Sequence, residues 1–364
     1  MSTIRKKKRS TMFTVVQETL IFVSLWGIVS TYLVFGVRYA AHGVLMIVAA
    51  CVAAVLTHVV FYMVVDALER KTFDGFKSRI TSNWKKVQRG TPIITGLILA
   101  LAFQSATPLY VVAAAAIIAE LIGKLMWGGF GKNKLNPAAV GFILAGIIFG
   151  YYVAMPAGPD AVSSATPLSI VARNGWYFTS EAAASFREYF GNLPNLLIGN
   201  FSGPKAETTR LASLISLGYL IYKKAVNWKI PAFYVGTVFI ISSMVGWIHG
   251  FSWTYGLFHV LNGGLIFGAV FMATDPVTIP KSKPGQVVFA ILLGMLTLVI
   301  RFRSQLYPEG VMIAILVLNM FAGYIQEKTA TLAKAAAKVQ WSVYAIIFGA
   351  SALLVILLAL GLPY

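Results

Sequence analysis

Gly96-Leu-Ile-Leu-Ala-Leu-Ala-Phe-Gln-Ser-Ala-Thr-Pro108 aligns without gaps on Gly264-Leu-Ile-Phe-Gly-Ala-Val-Phe-Met-Ala-Thr-Asp-Pro276, with five of thirteen positions identical. A second match follows each copy in the same order. Leu135-Asn-Pro-Ala-Ala-Val140 agrees with Leu306-Tyr-Pro-Glu-Gly-Val311 at Leu, Pro and Val. Chance similarity between apolar helices gives single matches of this kind; two in the same order favour duplication. Both copies of the first segment end at a proline, and residues 91–104 are too few to cross a bilayer, which takes about 20 apolar residues. They read as broken helices. The backbone groups freed at such breaks must line a cavity or be covered by protein.

Working outward, apolar spans are expected near residues 12–36, 44–66, 91–104, 108–127, 135–154, 209–222, 231–248, 256–273, 286–300, 309–325 and 339–361. The two copies lie five spans apart, and an odd number inverts the second in the membrane. Inverted repeats commonly place a site at their interface, built from short or broken helices. The expected fold is an all-α polytopic membrane protein of about ten to eleven transmembrane helices, with two inverted five-helix repeats and broken helices. Four regions follow: a first membrane repeat with a basic cytoplasmic N-terminus (1–154), an extracytoplasmic loop (155–208), a second repeat (209–326) and an additional C-terminal helix (327–364).

Composition agrees with this class, since 58% of the 364 residues are hydrophobic and only 12% charged. The net charge of +18 would suit a nucleic-acid partner. The basic residues sit between apolar runs, however, so the expected partner is the lipid bilayer and no nucleic acid. The single cysteine, Cys51, excludes a disulfide within the chain and a self-contained four-cysteine iron–sulfur or zinc site. The four histidines are scattered; no metal site is expected, and His58 and His259 read as packed or interfacial. Arg5–Arg9 before an apolar stretch could open a signal peptide. The run from Met12 to about Phe35 is too long for that and has no small-residue cleavage site, so it reads as the first span. With the N-terminus cytoplasmic, 23 of the 30 Lys and Arg fall in inside segments, as the positive-inside rule requires. The exceptions are Arg38, Arg173, Arg187, Lys205, Arg210, Arg301 and Arg303. This orientation puts residues 155–208 outside the cytoplasm.

That loop contains Asp160-Ala-Val-Ser-Ser-Ala-Thr166-Pro-Leu-Ser169. Ser, Thr and Pro together ordinarily make a turn. A second reading is chemical: a phosphoester needs only an accessible hydroxyl, and small Ser163, Ser164 and Ala165 leave room for a modifying enzyme. The stretch resembles the flavinylation motif of the RnfD/NqrB family, in which Asp-x-x-Ser-Gly/Ser-Ala-Thr carries FMN through its phosphate on the threonine. Three further segments resemble the same family: Gly131-Lys-Asn-Lys-Leu-Asn-Pro-Ala-Ala-Val-Gly141, Phe271-Met-Ala-Thr-Asp-Pro-Val277 and Tyr307-Pro-Glu-Gly-Val-Met312. Pro167 and the lack of a large N-terminal extension favour RnfD over NqrB. The segment 339–361 departs from the family's usual ten spans.

The resemblance implies an electron-transfer subunit of an Rnf-type ferredoxin:NAD oxidoreductase that translocates Na⁺ or H⁺ across a bacterial inner membrane. FMN would be joined to Thr166, with Asp160, Ser163, Ser164 and Ala165 completing the motif. The implied partners are the other Rnf subunits, including a second covalent-FMN subunit and iron–sulfur subunits, and a flavin transferase for maturation. The family also holds a non-covalent riboflavin near the cytoplasmic face, which implies contacts from Asn133 and Asn136. Their amides suit a flavin edge that presents donors and acceptors, and their i, i+3 spacing permits one face. Asn136 before Pro137 is equally an ordinary helix-start residue. Residues 128–132, Gly-Gly-Phe-Gly-Lys, are not a phosphate loop, because Met126 stands where its first Gly belongs and Asn133 where Ser or Thr belongs.

The remaining candidates are charges at membrane depth. A charge at a helix centre costs about 2.5–3.5 kcal/mol on insertion scales, so Glu120 must face protein or water. It is a candidate for an ion path, or a hydrogen-bonded structural group. Asp275, beside Pro276, either admits a cation or caps a turn. Glu18 reads as snorkelling to the interface. Arg301 and Arg303 on the outer side suit an anion such as a flavin phosphate, or Glu309. No catalytic side chain is expected in a carrier subunit. The rival readings are a solute channel or secondary transporter with inverted repeats, a quinone-reductase subunit of NqrB type, and a membrane scaffold with a vestigial loop.

Overall fold

The computed structural model describes residues 2–70, 76–154, 168, 171–172, 176, 197–198, 203–304 and 309–360. Asp160, Ser163, Ser164, Ala165 and Thr166 lie outside these, as do Tyr307 and Pro308. The described residues form helices and no strands. Contacts divide the chain into two units, Met1–Met155 and Pro156–Tyr364.

In the first unit, α1 (Ser2–Phe35) and α2 (Val37–Arg70) are followed by α3 (Phe76–Arg89), α4 (Pro92–Ala102), α5 (Leu109–Leu121) and α6 (Pro137–Ala154). At 1.5 Å per residue, the 34-residue α2 runs about 50 Å, well beyond a ~30 Å hydrocarbon core. The 11-residue α4 runs only about 16 Å, so it crosses roughly half of the core. Its burial resolves the conflict: α4 packs on α1, α2, α5 and α6. Every residue from Thr95 to Phe103 is buried. A short helix is tolerated in a membrane where protein rather than lipid surrounds its ends. Gly96 allows the close approach, because a Cβ there would stand 2.9 Å from both Cα and N of Cys51 on α2. The long α2 presents Leu56, Val60 and Val64 outward, as expected of a lipid-facing surface.

The second unit repeats the principle. A short α7 (Lys205–Thr208) leads into α8 (Arg210–Tyr222) and α9 (Lys229–Ile248). Then α10 (Thr254–Leu261) breaks and resumes as α11 (Leu265–Phe267), which passes into a π-helical turn at Gly268–Met272. The bend between the two halves is 66°. Residues Leu265–Phe267 and Gly268–Met272 are all buried. They pack on α7, α8, α9, α10 and α13 (Val311–Lys328), and α12 (Lys283–Arg303) and α14 (Ala337–Leu360) complete the unit.

Among the described residues, seven helices are long and apolar enough to span a membrane, or eight with the bent pair counted as one span. Pro92–Ala102, Pro137–Gly150 and Arg210–Tyr222 are shorter apolar helices. The eleven expected segments are therefore present, and they are of two kinds, full spans and short elements. The chain is a multi-pass membrane protein. Both copies of the repeat run as helix into irregular backbone ahead of their prolines, after Ala102 and after Met272.

Candidate functional site

The helix breaks free backbone carbonyls, and in each unit a basic side chain takes them up. In the first unit the backbone between α4 and α5 offers the Ser105 carbonyl, which accepts from His42 Nδ1 at 2.9 Å. For that bond Nδ1 must carry the ring proton. Just before α4, the Gly90 carbonyl accepts from Lys124 Nζ at 2.9 Å. In the second unit the guanidinium of Arg301 on α12 lies at the break between α10 and α11. Its Nη1 donates to the His259 carbonyl, its Nη2 to the Asn262 carbonyl at 2.9 Å, and its Nε to the Glu309 carbonyl at 3.1 Å. The rigid fork of Arg suits several acceptors at once. Gly263 has φ +68°, and a Cβ there would stand 2.9 Å from Arg301 Nη2. The break thus uses a glycine both for its backbone conformation and for the arginine's approach.

Lys124 also closes a buried ion cluster. Glu120 on α5 accepts from His58 Nε2 of α2 at 2.6 Å and from Lys124 Nζ at 3.0 Å. Lys124 donates further to Thr95 Oγ1 of α4 at 3.0 Å. His58 and Glu120 are 0% exposed and Lys124 is 2% exposed. A carboxylate taken out of water needs this many partners to offset its desolvation. Glu120 is therefore a crosslink among α2, α4 and α5 in this conformation. Lys124 belongs to the interior, although the charge pattern places it with the cytoplasmic loops.

The other predicted residues take local roles. Asn136 Oδ1 accepts from the Ala139 amide at 3.2 Å, so Asn136 starts α6. Asn133 braces its loop, accepting from the Gly131 amide at 3.3 Å and donating to the Leu135 carbonyl at 3.1 Å. Asp275 Oδ1 accepts from the Val277 amide at 3.0 Å, and Oδ2 from Thr278 Oγ1 at 3.4 Å, which makes the turn after the π-helical segment. Lys281 Nζ donates to the carbonyls of Pro276 and Val277 in the same turn. Glu18 is exposed on α1, and Arg303 is exposed at the end of α12. Asp275 and Glu120 belong to different units.

Residues that follow the Thr166 motif are held against the second unit's broken helix. Leu168 is fully buried, and its Cδ2 would meet a Cβ at Gly263 at 3.3 Å. Trp176 is buried with φ +70°, stacks on His259 with ring centroids 5.8 Å apart, and packs edge-on against Phe302. Its carbonyl accepts from Tyr255 Oη at 2.7 Å. His259 is fully buried among these rings. Nearby, Glu207 of α7 is buried beside Glu309, Arg210 and Arg301. Burial, and then the Glu309 carboxylate, push its carboxyl well above the usual carboxylate range, against the pull of the two arginines. Three of the seven charge-rule exceptions, Lys205, Arg210 and Arg301, are fully buried here and so are structural.

Sequence reasoning missed His42, Lys124 and Arg301 as the groups that answer the broken backbone. The signal for Lys124 was its i, i+4 spacing from Glu120. The other two pairings span 63 and about 40 residues, which no local pattern carries.

Comparison with known proteins bears on the same elements. The D subunit of the proton-translocating ferredoxin:NAD(+) oxidoreductase complex of Clostridium ljungdahlii is 34% identical over 304 residues, covering 81% of this chain and 85% of the relative. The D subunit of the Na(+)-translocating ferredoxin:NAD(+) oxidoreductase complex of Acetobacterium woodii is 31% identical over 248 residues, 65% of this chain and 70% of the relative. The B subunit of the Na(+)-translocating NADH-quinone reductase of Chromohalobacter salexigens is 34% identical over 245 residues, 64% of this chain and 56% of the relative. The family model for NQR2, RnfD, RnfE matches residues 4–335. That match runs through both broken elements and stops just short of α14, and the chain belongs to the NQR2, RnfD, RnfE family.

Proposed function

We propose that this chain is the RnfD-type membrane subunit of a ferredoxin:NAD oxidoreductase complex and carries FMN as a phosphoester on Thr166. Membership of a family whose relatives are subunits of ion-translocating oxidoreductases supports the coarser part of this reading, a subunit of a redox-driven ion translocase. The observation that carries the finer part is the Asp160–Thr166 motif followed within two residues by buried Leu168. Leu168 ties the backbone that follows the motif to the broken helix of α10 and α11. Bound there, the flavin would supply one- and two-electron carriage. The chain's own part is to hold the attachment point and set its electrostatic surroundings. Arg301 and Arg210, with the carboxyl groups of Glu207 and Glu309, cluster near that break in the second unit.

The loop 155–208 is assigned to the outer side of a bacterial inner membrane by the distribution of Lys and Arg. A non-covalent riboflavin near Asn133 and Asn136, the other Rnf subunits (a second covalent-FMN subunit and iron–sulfur subunits among them) and a flavin transferase complete the proposal. Asp275 and Glu120 keep an ion-path role only if their turn-capping and crosslinking bonds exchange for a cation. With a single cysteine and no G-x-G-x-x-G unit, the chain needs partners to pass electrons from ferredoxin to NAD⁺. Ferredoxin:NAD⁺ activity and Na⁺ or H⁺ uptake in vesicles test this, comparing the complete complex, the complex without this subunit, and the subunit alone. Only the complete complex should couple the two. Coupled turnover by the subunit alone, or normal pumping in its absence, refutes the proposal.

A further inference from the structure

The first unit contains a half-open cavity of about 930 Å³ that no part of the electron-transfer reading uses. Phe13, Thr14 and Gln17 of α1, Val55 and Tyr62 of α2, and Gly128 and Phe130 of the loop before α6 make part of its wall. The remainder is the continuous stretch Trp84–Ile93, from the last turns of α3 into the start of α4. Its volume is at the upper end of small-molecule sites and far exceeds what an ion needs.

Three cations line it, Lys85, Lys86 and Arg89, and no acidic side chain does among the described residues. All three are exposed, and Lys86 Nζ lies 5.6 Å from the ring centre of Tyr62. The stretch is amphipathic: Asn83 and Val87 are buried, whereas Trp84 is 44% exposed beside the lysines. Exposed Trp with Lys and Arg at the end of spanning helices marks the headgroup level of a bilayer. The same lining carries apolar and aromatic side chains, Phe13, Val55, Ile93 and Phe130. Cations together with apolar surface match a molecule with an anionic head and a hydrocarbon tail. Asn133 and Asn136 do not line the cavity, so it is separate from the contacts expected of the second flavin.

We infer that this cavity is a binding site for an anionic membrane phospholipid, with its phosphate held by Lys85, Lys86 and Arg89 and an acyl chain lying along Phe13, Val55 and Ile93. The bound lipid would fill the space among α1, α2, α3 and α4, and so brace the short α4 from outside. The inference does not depend on the flavin or on the redox reaction.

The test uses the full-length chain purified in detergent, with native mass spectrometry of added phosphatidylglycerol and phosphatidylcholine. The wild type should retain one phosphatidylglycerol after phosphatidylcholine has been washed away. Lys85→Ala/Lys86→Ala/Arg89→Ala should weaken phosphatidylglycerol retention on the order of 100-fold, from the attraction of three cations near an anionic surface. A control with the same loss of charge at exposed positions, Lys328→Ala/Lys334→Ala/Lys338→Ala, should change retention no more than about threefold. Thr14→Trp keeps every charge but takes up part of the cavity, and should weaken retention. Equal retention of phosphatidylcholine, unchanged retention in the cation triple variant, or undiminished retention in Thr14→Trp would overturn the inference. So would displacement of the lipid by inorganic phosphate at equal concentration, or recovery of a flavin or quinone as the cavity's occupant.

Discussion

Replacing Lys124 by Met removes the cation from the Glu120 cluster and leaves the rest of the chain's charges in place. Glu120 would then keep only the His58 bond of 2.6 Å, and the Gly90 carbonyl and Thr95 hydroxyl would lose the Lys124 donor. Glu120 is 0% exposed and Lys124 2% exposed, so solvent cannot replace what is lost. Breaking one side of a buried pair costs about 3–5 kcal/mol, and the retained histidine bond puts Lys124→Met at the lower end of that range. Glu120→Gln alone leaves Lys124 as an uncompensated buried cation and should cost a similar amount. The double variant has no buried charge in excess. Its cost should therefore fall well below the sum, with a coupling of about 2–3 kcal/mol, the upper range for groups in contact. Titration of the purified chain with sodium dodecyl sulfate, followed by circular dichroism, gives all three values. Two single-variant costs that simply add, or that each stay under about 1 kcal/mol, would show the cluster to be solvated rather than a crosslink.

Lys205 supplies a pH-dependent prediction from outside the spans. Burial lowers its ammonium from 10.5 to about 8, so the folded state disfavours the charged form. The resulting penalty, about 3 kcal/mol, is fully present below pH 8 and disappears as pH rises from 8 to 10.5, so stability should increase across that window. Lys205→Met should lose the rise; a flat wild-type profile would contradict the burial. Asn136→Asp keeps the oxygen that caps α6 but loses the amide donor. Extractable flavin should fall about tenfold while FMN on Thr166 is retained, and unchanged extractable flavin would remove Asn136 from that site. For topology, a cysteine at Ser180 in a Cys51→Ala background should react with an impermeant thiol reagent in spheroplasts. Labelling only from the cytoplasmic side would reverse the assigned orientation.

The number and position of the apolar segments were legible because hydropathy and length are local. So was the presence of breaks, since an apolar run that a proline closes at half the bilayer's thickness cannot continue as a full span. What closes each break was not legible. His42, Lys124 and Arg301 act across helices, and a sequence shows a buried Lys or Arg with the same letter as a loop charge. The count of basic residues accordingly assigned Lys124, Lys205, Arg210 and Arg301 to aqueous segments, although all four are buried. The repeat carries a similar lesson. Gly96 is required by the backbone of α2, whereas a Cβ at the aligned Gly264 would meet nothing within 4 Å. Equal letters at aligned positions therefore answer different packing needs. Asn136 and Asp275 had two readings each, and their short-range hydrogen bonds are those of the helix-start and turn-cap readings. A cofactor or ion partner would be an additional role on top of these.

FMN joined to Thr166 is the electron carrier proposed for this family member. Its most direct measurement is mass analysis of the proteolytic peptide containing residues 160–169, from protein co-expressed with a flavin transferase, alongside in-gel flavin fluorescence of wild type and Thr166→Ala. The wild-type peptide should carry the FMN mass at Thr166, and a Thr166→Ala chain that still inserts and folds should show no fluorescence. An unmodified wild-type peptide, or undiminished fluorescence in the variant, would contradict the proposal.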